Sequence, residues 1–237
     1  MMAAWNGRFR CVTTSLLGYG GTAERRDPQA PTIDPEIDAL EAVIQRAGGP
    51  VHLVGHSFGG SVAIATSVRG HVPIASLSIV EAPLVPLLRH CGEDEHFATF
   101  NRMTDVYFAA FRRGEPEAIA EMIDFYGGAG TFASWPARLR AYAIDTAHVN
   151  ILDWACGHAF PENVEQITAL EVPTLVMWGG ASPRAVQRAN ELLAEHIPGA
   201  SRMTVGSAAH FMIATHAAEV AEAVAQHVGQ ADQAAAA

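Results

Sequence analysis

The stretch Val51-His52-Leu53-Val54-Gly55-His56-Ser57-Phe58-Gly59-Gly60 constrains this chain more than any other. Its first half is a short apolar, β-branched run, the composition of a buried parallel strand. The run stops at Gly55, and Ser61 to Val68 reads as a helix of small and apolar residues. Between them, Gly-His-Ser-Phe-Gly has the G-x-S-x-G spacing of a nucleophile elbow. A serine held on so sharp a strand-to-helix turn needs glycine two positions to either side, because strand and helix approach there without room for side chains. The turn lifts the Ser57 hydroxyl clear of the sheet and aims the free N–H groups of the helix at the same point. The bland alternative is a glycine-rich connection carrying a surface serine.

The surrounding chain is large enough to support such a turn. Its 237 residues, about half of them apolar, suit one α/β domain with an insertion. A net charge of −10 without a basic cluster argues against nucleic acid or an anionic membrane as partner. Cys11, Cys91 and Cys156 are odd in number and far apart, which supports neither a disulfide framework nor a zinc site. His52 and His56 are four apart but lie on a strand and its turn, so no metal or cofactor is expected. Met1 to Arg10 lacks an apolar signal core and no run reaches spanning length, so a soluble, cytoplasmic protein is expected.

In chain order, Phe9 to Thr14 alternates as a strand, and the glycine-rich loop Ser15 to Thr22 follows it. Loops after strand C-termini border ligands in α/β sheets, which makes Gly18 and Tyr19 candidate substrate contacts. Asp34-Pro35-Glu36 opens a helix that Gly48-Gly49-Pro50 closes. Ala75 to Val80 is a further strand, ending at Glu81-Ala82-Pro83. Helical periodicity without strands then runs from Leu84 to about Val164, over His96–Phe111, Pro116–Phe125 and Pro136–Ile151. Tyr126 to Gly130 has the composition of a mobile turn. A helical block between strands suggests a lid, with a few of its aromatic residues, Trp135 among them, facing substrate. Strands at 173–178 and 202–205 flank a helix at Ala185–Ile197. His210 follows in a small-residue turn, and a last helix covers Ala217–Val228.

This order, with Gly18-Tyr19-Gly20, the elbow, Pro173 to Gly179 and the run from Ile197-Pro198-Gly199-Ala200 to His210, resembles the α/β-hydrolase superfamily from about Trp5 to Val228. The resemblance implies an α/β-hydrolase fold. Its core would be residues 1–84 and 165–229, its helical cap 85–164 and its flexible tail 230–237. It implies Ser57 as nucleophile, His210 as base (His216 being the runner-up) and the Phe58 N–H as an oxyanion donor. His56, next to the nucleophile, would point away from Ser57 and is placed among the substrate contacts. The sequence departs from the usual pattern at the acid. Where the superfamily commonly carries an aspartate, Gly179-Gly180-Ala181-Ser182-Pro183 offers none. Some members take the acid from the strand after the elbow helix, which here means Glu81, and a subset of bacterial hydrolases shares the text around Glu81–Pro83 and Gly128–Trp135. Otherwise Glu81 is an exposed strand end paired with Arg89 or with a residue of the helical insert. A second departure is that no His-Gly-type oxyanion segment is present. The first strands of the fold are therefore expected to be absent, including one between Phe9–Thr14 and Val51–Val54, as in a shortened hydrolase.

A serine hydrolase is therefore expected, one cleaving a small, fairly apolar ester, thioester or lactone through a Ser-His-Glu triad. Perhydrolysis or C–C hydrolysis on the same residues stays open, since fold does not fix reaction. The reading from another class is a non-catalytic protein of this fold that holds a small apolar ligand under its lid.

Overall fold

The computed structural model of the chain describes residues 1–160 and 164–236. A short 3-10 helix, Met2–Trp5, and an irregular segment precede α1 (Asp34–Ala47), β1 (Val51–His56), α2 (Phe58–Arg69) and β2 (Ile74–Val80). A helical insertion follows: α3 (Val85–His90), α4 (Asp94–Arg112), α5 (Ile119–Gly127), α6 (Thr131–Ser134), α7 (Ala137–Asp145), α8 (Ala147–His158) and α9 (Val164–Thr168). The chain then returns to β3 (Thr174–Gly179), α10 (Arg184–His196), β4 (Ser201–Val205), α11 (Met212–Thr215) and α12 (Ala217–Ala235).

Among the described residues the strands form one parallel sheet in the order β1-β2-β3-β4. Its register aligns His56 with Val80 and Gly179 with Val205, so the chain leaves β1, β2, β3 and β4 along one edge. Alternation along the strands divides the core between two faces. Val176 and Trp178 of β3 join a large cluster with α1, α2, α10 and the insertion, while Leu175 and Met177 join Val205, Val220 and Val224 on the α12 face. Phe100, Tyr107, Tyr126 and Trp154 of the insertion belong to the same cluster as Val62 and Ile64 of α2. The insertion is thus packed into the main core. Among the described residues no helix is long and apolar enough to cross a membrane.

Several local expectations are corrected. Phe9–Thr14 is not a strand. β1 lies at the edge of the described sheet and no strand stands between it and this segment, so its backbone groups have no ladder to join. Trp5 instead donates from Nε1 to the Ala221 carbonyl (2.8 Å) and packs edge-on against Phe9, anchoring the segment over α12. The stretch 230–237 is not a loose tail as far as Ala235. Alanine is the best helix former, α12 continues through it, and Ala231 is buried. The helix expected over Pro136–Ile151 is two, separated at Thr146, whose hydroxyl back-bonds to the Tyr142 carbonyl (2.8 Å). Tyr126 lies at the buried end of α5 rather than in a mobile turn.

Candidate active site

Ser57 sits between β1 and α2 with φ 55° and ψ −132°, a conformation that L-residues rarely adopt. Gly55 and Gly60 permit it, not the expected pair Gly55 and Gly59, since a Cβ on Gly59 would meet nothing within 4 Å. A Cβ on Gly55 would lie 2.5 Å from the Gly59 carbonyl oxygen, and one on Gly60 would lie 3.0 Å from the Ala82 Cβ. The Ser57 N–H donates to the Val80 carbonyl (3.0 Å), which fixes the turn to the end of β2. Phe58 opens α2, so its N–H has no carbonyl partner within the helix.

From Ser57 an unbroken set of hydrogen bonds runs into the protein. Ser57 Oγ lies 2.9 Å from His210 Nε2, and His210 Nδ1 lies 3.0 Å from Glu81 Oε1. Glu81 is fully buried and follows β2 with a positive φ of 51°. Its N–H donates to the Met177 carbonyl, and its carboxylate accepts from the Gly179 N–H (2.7 Å) and from Ser182 Oγ (2.8 and 2.9 Å). These donors offset the cost of burying the carboxylate. Glu81 is therefore turned inward, away from Arg89, whose guanidinium lies over the Phe97 ring.

The imidazole of His210 is held between rings, with Tyr126 at 4.1 Å and His56 at 4.7 Å between centroids, and Phe211 edge-on at 5.4 Å. His56 Nε2 donates to the His210 carbonyl (2.9 Å). Burial, reinforced by the neighbouring His210, holds the His56 pKa down to about 3, so His56 stays neutral beside the other ring. Tyr126 is pushed well above the ordinary phenol range by burial and by the Glu81 charge, and its hydroxyl has no partner among the described residues. His216 is turned elsewhere, bonded to Ser207 Oγ (3.1 Å) and Thr215 Oγ1 (2.9 Å).

A cavity of about 140 Å³ opens on Ser57 and His210. Its lining includes His56, Phe58 and Pro83 from the core, Met122, Tyr126 and Trp154 from the insertion, and the polar pair Asn150 and Asp153 on α8. Three expected substrate contacts lie behind this lining. Gly18 packs against Val149, Tyr19 donates from its hydroxyl to Asp153 Oδ2 (2.7 Å), and Trp135 packs edge-on against Phe211 (5.1 Å). A larger cavity, about 310 Å³ between the glycine-rich loop and α1, contains none of Ser57, Glu81 and His210. Among the described residues no group of three or more histidine, cysteine, aspartate or glutamate side chains is placed to hold a metal ion.

The sequence model of the Alpha/beta hydrolase family matches residues 1–223, nearly the whole chain. The chain belongs to the alpha/beta hydrolase family. Lipase LipV of Mycobacterium tuberculosis is 41% identical over 75 residues, a match spanning 30% of this chain and 26% of that lipase. Among solved structures, MenH from S. aureus superposes with a TM-score of 0.68 at 15% identity, covering 92% of this chain and 82% of that one. An esterase from Exiguobacterium antarcticum gives 0.67 at 17% identity, covering 90% and 79%. At these identities the two structures speak for the fold.

For a family member, the residues that sequence reasoning missed are informative. Ser182 stands in the segment where an acid is usual and instead donates to Glu81. Asn190 of α10, fully buried, accepts from the Ala82 N–H (3.0 Å) and donates to the Ala82 carbonyl (3.1 Å), clasping the residue after Glu81. An asparagine on the apolar face of α10 was the available sign of this second contact. Arg26, buried in the loop after Gly18-Tyr19-Gly20, pairs with Asp153 (2.6 Å) and Glu24 (2.6 Å), and nothing local in the sequence marks that pairing.

Proposed function

We propose that this chain is a serine hydrolase that cleaves a small, mostly apolar carboxylic ester, thioester or lactone through an acyl-enzyme. The observation that carries the reading is the hydrogen-bonded series from Ser57 Oγ through His210 to the buried Glu81. A serine hydroxyl is inert at neutral pH until a base within hydrogen-bond reach takes its proton. Here His210 Nε2 takes it as Oγ attacks the substrate carbonyl carbon, and Glu81 stabilises the imidazolium through the proton on Nδ1. Negative charge developing on the carbonyl oxygen is met by the Phe58 N–H and the N-terminal dipole of α2. The proton on Nε2 then passes to the leaving oxygen or sulfur. A water molecule, deprotonated by His210 in turn, attacks the acyl carbon and releases Ser57. Neutral His56 keeps a second positive charge away from the imidazolium. The apolar lining, with Pro83, Met122 and Trp154, suits a short acyl chain, and kinship to a protein named as a lipase favours ester chemistry.

Labelling with a fluorophosphonate, followed by intact mass and peptide mapping, tests the proposal. The expected adduct is on Ser57. Its rate of formation should fall by about 10³-fold or more in His210→Ala and steeply in Glu81→Gln. A folded protein that refuses the probe overturns the reading and leaves a non-catalytic binder of small ligands on the same fold.

A further inference from the structure

The mechanism leaves unused a buried polar network behind the reacting serine. Arg26, whose side chain is fully buried, pairs with Asp153 and Glu24 and lies 3.6 Å from Glu36. Tyr19 closes the network on Asp153 Oδ2. One guanidinium thus faces three carboxyl groups from the loop, α1 and α8, and although burial raises the Asp153 pKa and pushes Glu36 up to about 7, the acidic groups outnumber the cation. Asp153 and Asn150, three residues apart and so on one face of α8, also form part of the cavity wall that holds Ser57 and His210. Each Asp153 oxygen accepts one bond, from Arg26 Nη1 or from the Tyr19 hydroxyl, and retains room for another. Asn150 accepts from the Tyr107 hydroxyl through Oδ1 (3.1 Å). Tyr126 belongs to the same lining, and its buried hydroxyl is unpartnered among the described residues. An otherwise apolar cavity with these groups converging in it is built for a ligand that is not wholly apolar.

We propose that Asp153 and Asn150 are specificity residues that recognise a hydroxyl or a protonated amine on the acyl chain of the substrate, Asp153 by accepting from it and Asn150 through the second lone pair of Oδ1 or, toward a hydroxyl oxygen, through its Nδ2 donors. The inference rests on the serine hydrolase reading and adds a substrate class to it. At about 10–15 Å³ for each water-sized guest, a cavity of about 140 Å³ holds an acyl chain of about ten heavy atoms. A donor on such a chain comes within reach of α8 while its carbonyl is at Ser57. An acyl chain ending in a carboxylate meets this excess of acidic groups and is disfavoured. A site that binds a substrate hydroxyl discriminates strongly against the analogue lacking it, because its own polar groups are then left unpaired.

The test compares two isosteric pairs of 4-nitrophenyl esters, 3-hydroxybutanoate against 3-methylbutanoate and 3-aminopropanoate against butanoate. The expected result is a kcat/KM at least about tenfold higher for the donor-bearing member of one pair or both, equivalent to about 1.4 kcal/mol. That ratio should collapse toward one in Asp153→Asn and in Asn150→Leu, the latter leaving the Arg26–Asp153 pair intact should the former fail to fold. The pair that responds separates a hydroxyl ligand from an ammonium ligand. A ratio near one in the unaltered protein overturns the inference, as does a high ratio that survives both substitutions. Should Ser57 refuse the fluorophosphonate, the hydrolase reading falls separately. Calorimetric affinities for 3-hydroxybutanamide and 3-methylbutanamide, which need no turnover, then decide the inference by the same ratio.

Discussion

Ser182 contributes a hydroxyl to both oxygens of Glu81, 2.8 and 2.9 Å away, from the segment where a hydrolase of this family commonly places its acid. A serine there cannot stabilise an imidazolium by charge, but it orients the carboxylate proposed to do so. Ser182→Ala leaves the Gly179 N–H as a donor and removes the other. Hydrogen bonds to charged groups contribute about 1.5–3 kcal/mol, so kcat should fall about tenfold or more with KM little changed, as steady-state kinetics will show. Gly55 operates through space alone. The atoms that an added Cβ meets belong to the backbone of Gly59 and Gly60 and cannot rotate away. Gly55→Ala should cost about 3 kcal/mol, which for a chain of this size lowers Tm by about 6–12 °C in a calorimetric scan. Ester turnover should be lost with it, because any relief moves Ser57.

At the scale of elements, the site is assembled where consecutive strands end in step. Ser57 and Glu81 follow β1 and β2, Gly179 ends β3, and the turn to His210 follows β4, all along the same sheet edge, which is where open α/β sheets place ligands. The Ala181 N–H donates to the Ala208 carbonyl (2.9 Å) and binds the two last turns together. α10 acts on this edge from behind. Asn190 satisfies both backbone groups of Ala82 while its amide also donates to the Val186 carbonyl (2.9 Å). Asn190→Leu is close in size and leaves the Ala82 N–H buried and unpaired, at about 1–3 kcal/mol, while the Ala82 carbonyl keeps the bond from the Leu84 N–H (3.1 Å). The expected outcome is a drop in denaturant midpoint without a change in m-value, together with a lower kcat because Glu81 loses its adjacent anchor. A midpoint equal to that of the unaltered protein would show that α10 holds the strand end by packing alone.

Across the whole molecule, stability and pH are linked through two buried groups, Glu36 on α1 and His56 at the end of β1. Burial pushes the Glu36 carboxyl up to about 7 despite the Leu17 N–H and the Arg26 charge. Between its ordinary value of 4.5 and about 7 the folded chain therefore holds more protons than the unfolded one, and stability from this group is lost as pH rises through that window. His56, held to about 3, has the opposite sign, and its contribution is lost as pH falls from about 6.5 toward 3. Between about 4.5 and 6.5 the two slopes oppose each other, so denaturation measured from pH 4 to 8 should show that Glu36→Gln makes stability rise more steeply with pH between about 4.5 and 7 and leaves the loss below 4.5 in place. The pattern of sequence and structure across the chain has the same division between local and distant causes. The elbow, the helix after it, β2, β3 and α10 were legible because periodicity, glycine placement and apolar runs act over a few residues. Ser57, His210 and Glu81 were legible as candidates because each stands at the end of such an element. Whether Phe9–Thr14 forms a strand was not, since a strand exists only beside another and the neighbour is not encoded in the segment itself. The same holds for Arg26 with Asp153, 127 residues apart, and for Tyr126, which its glycine-rich surroundings disguised as a turn. Local chemistry in the sequence determined the elements and the identity of the candidate reactive groups. The distances between those groups, the donors that hold Glu81 in the core and the polar wall facing Ser57 were decided by tertiary structure, because each arises from packing between segments remote in the chain.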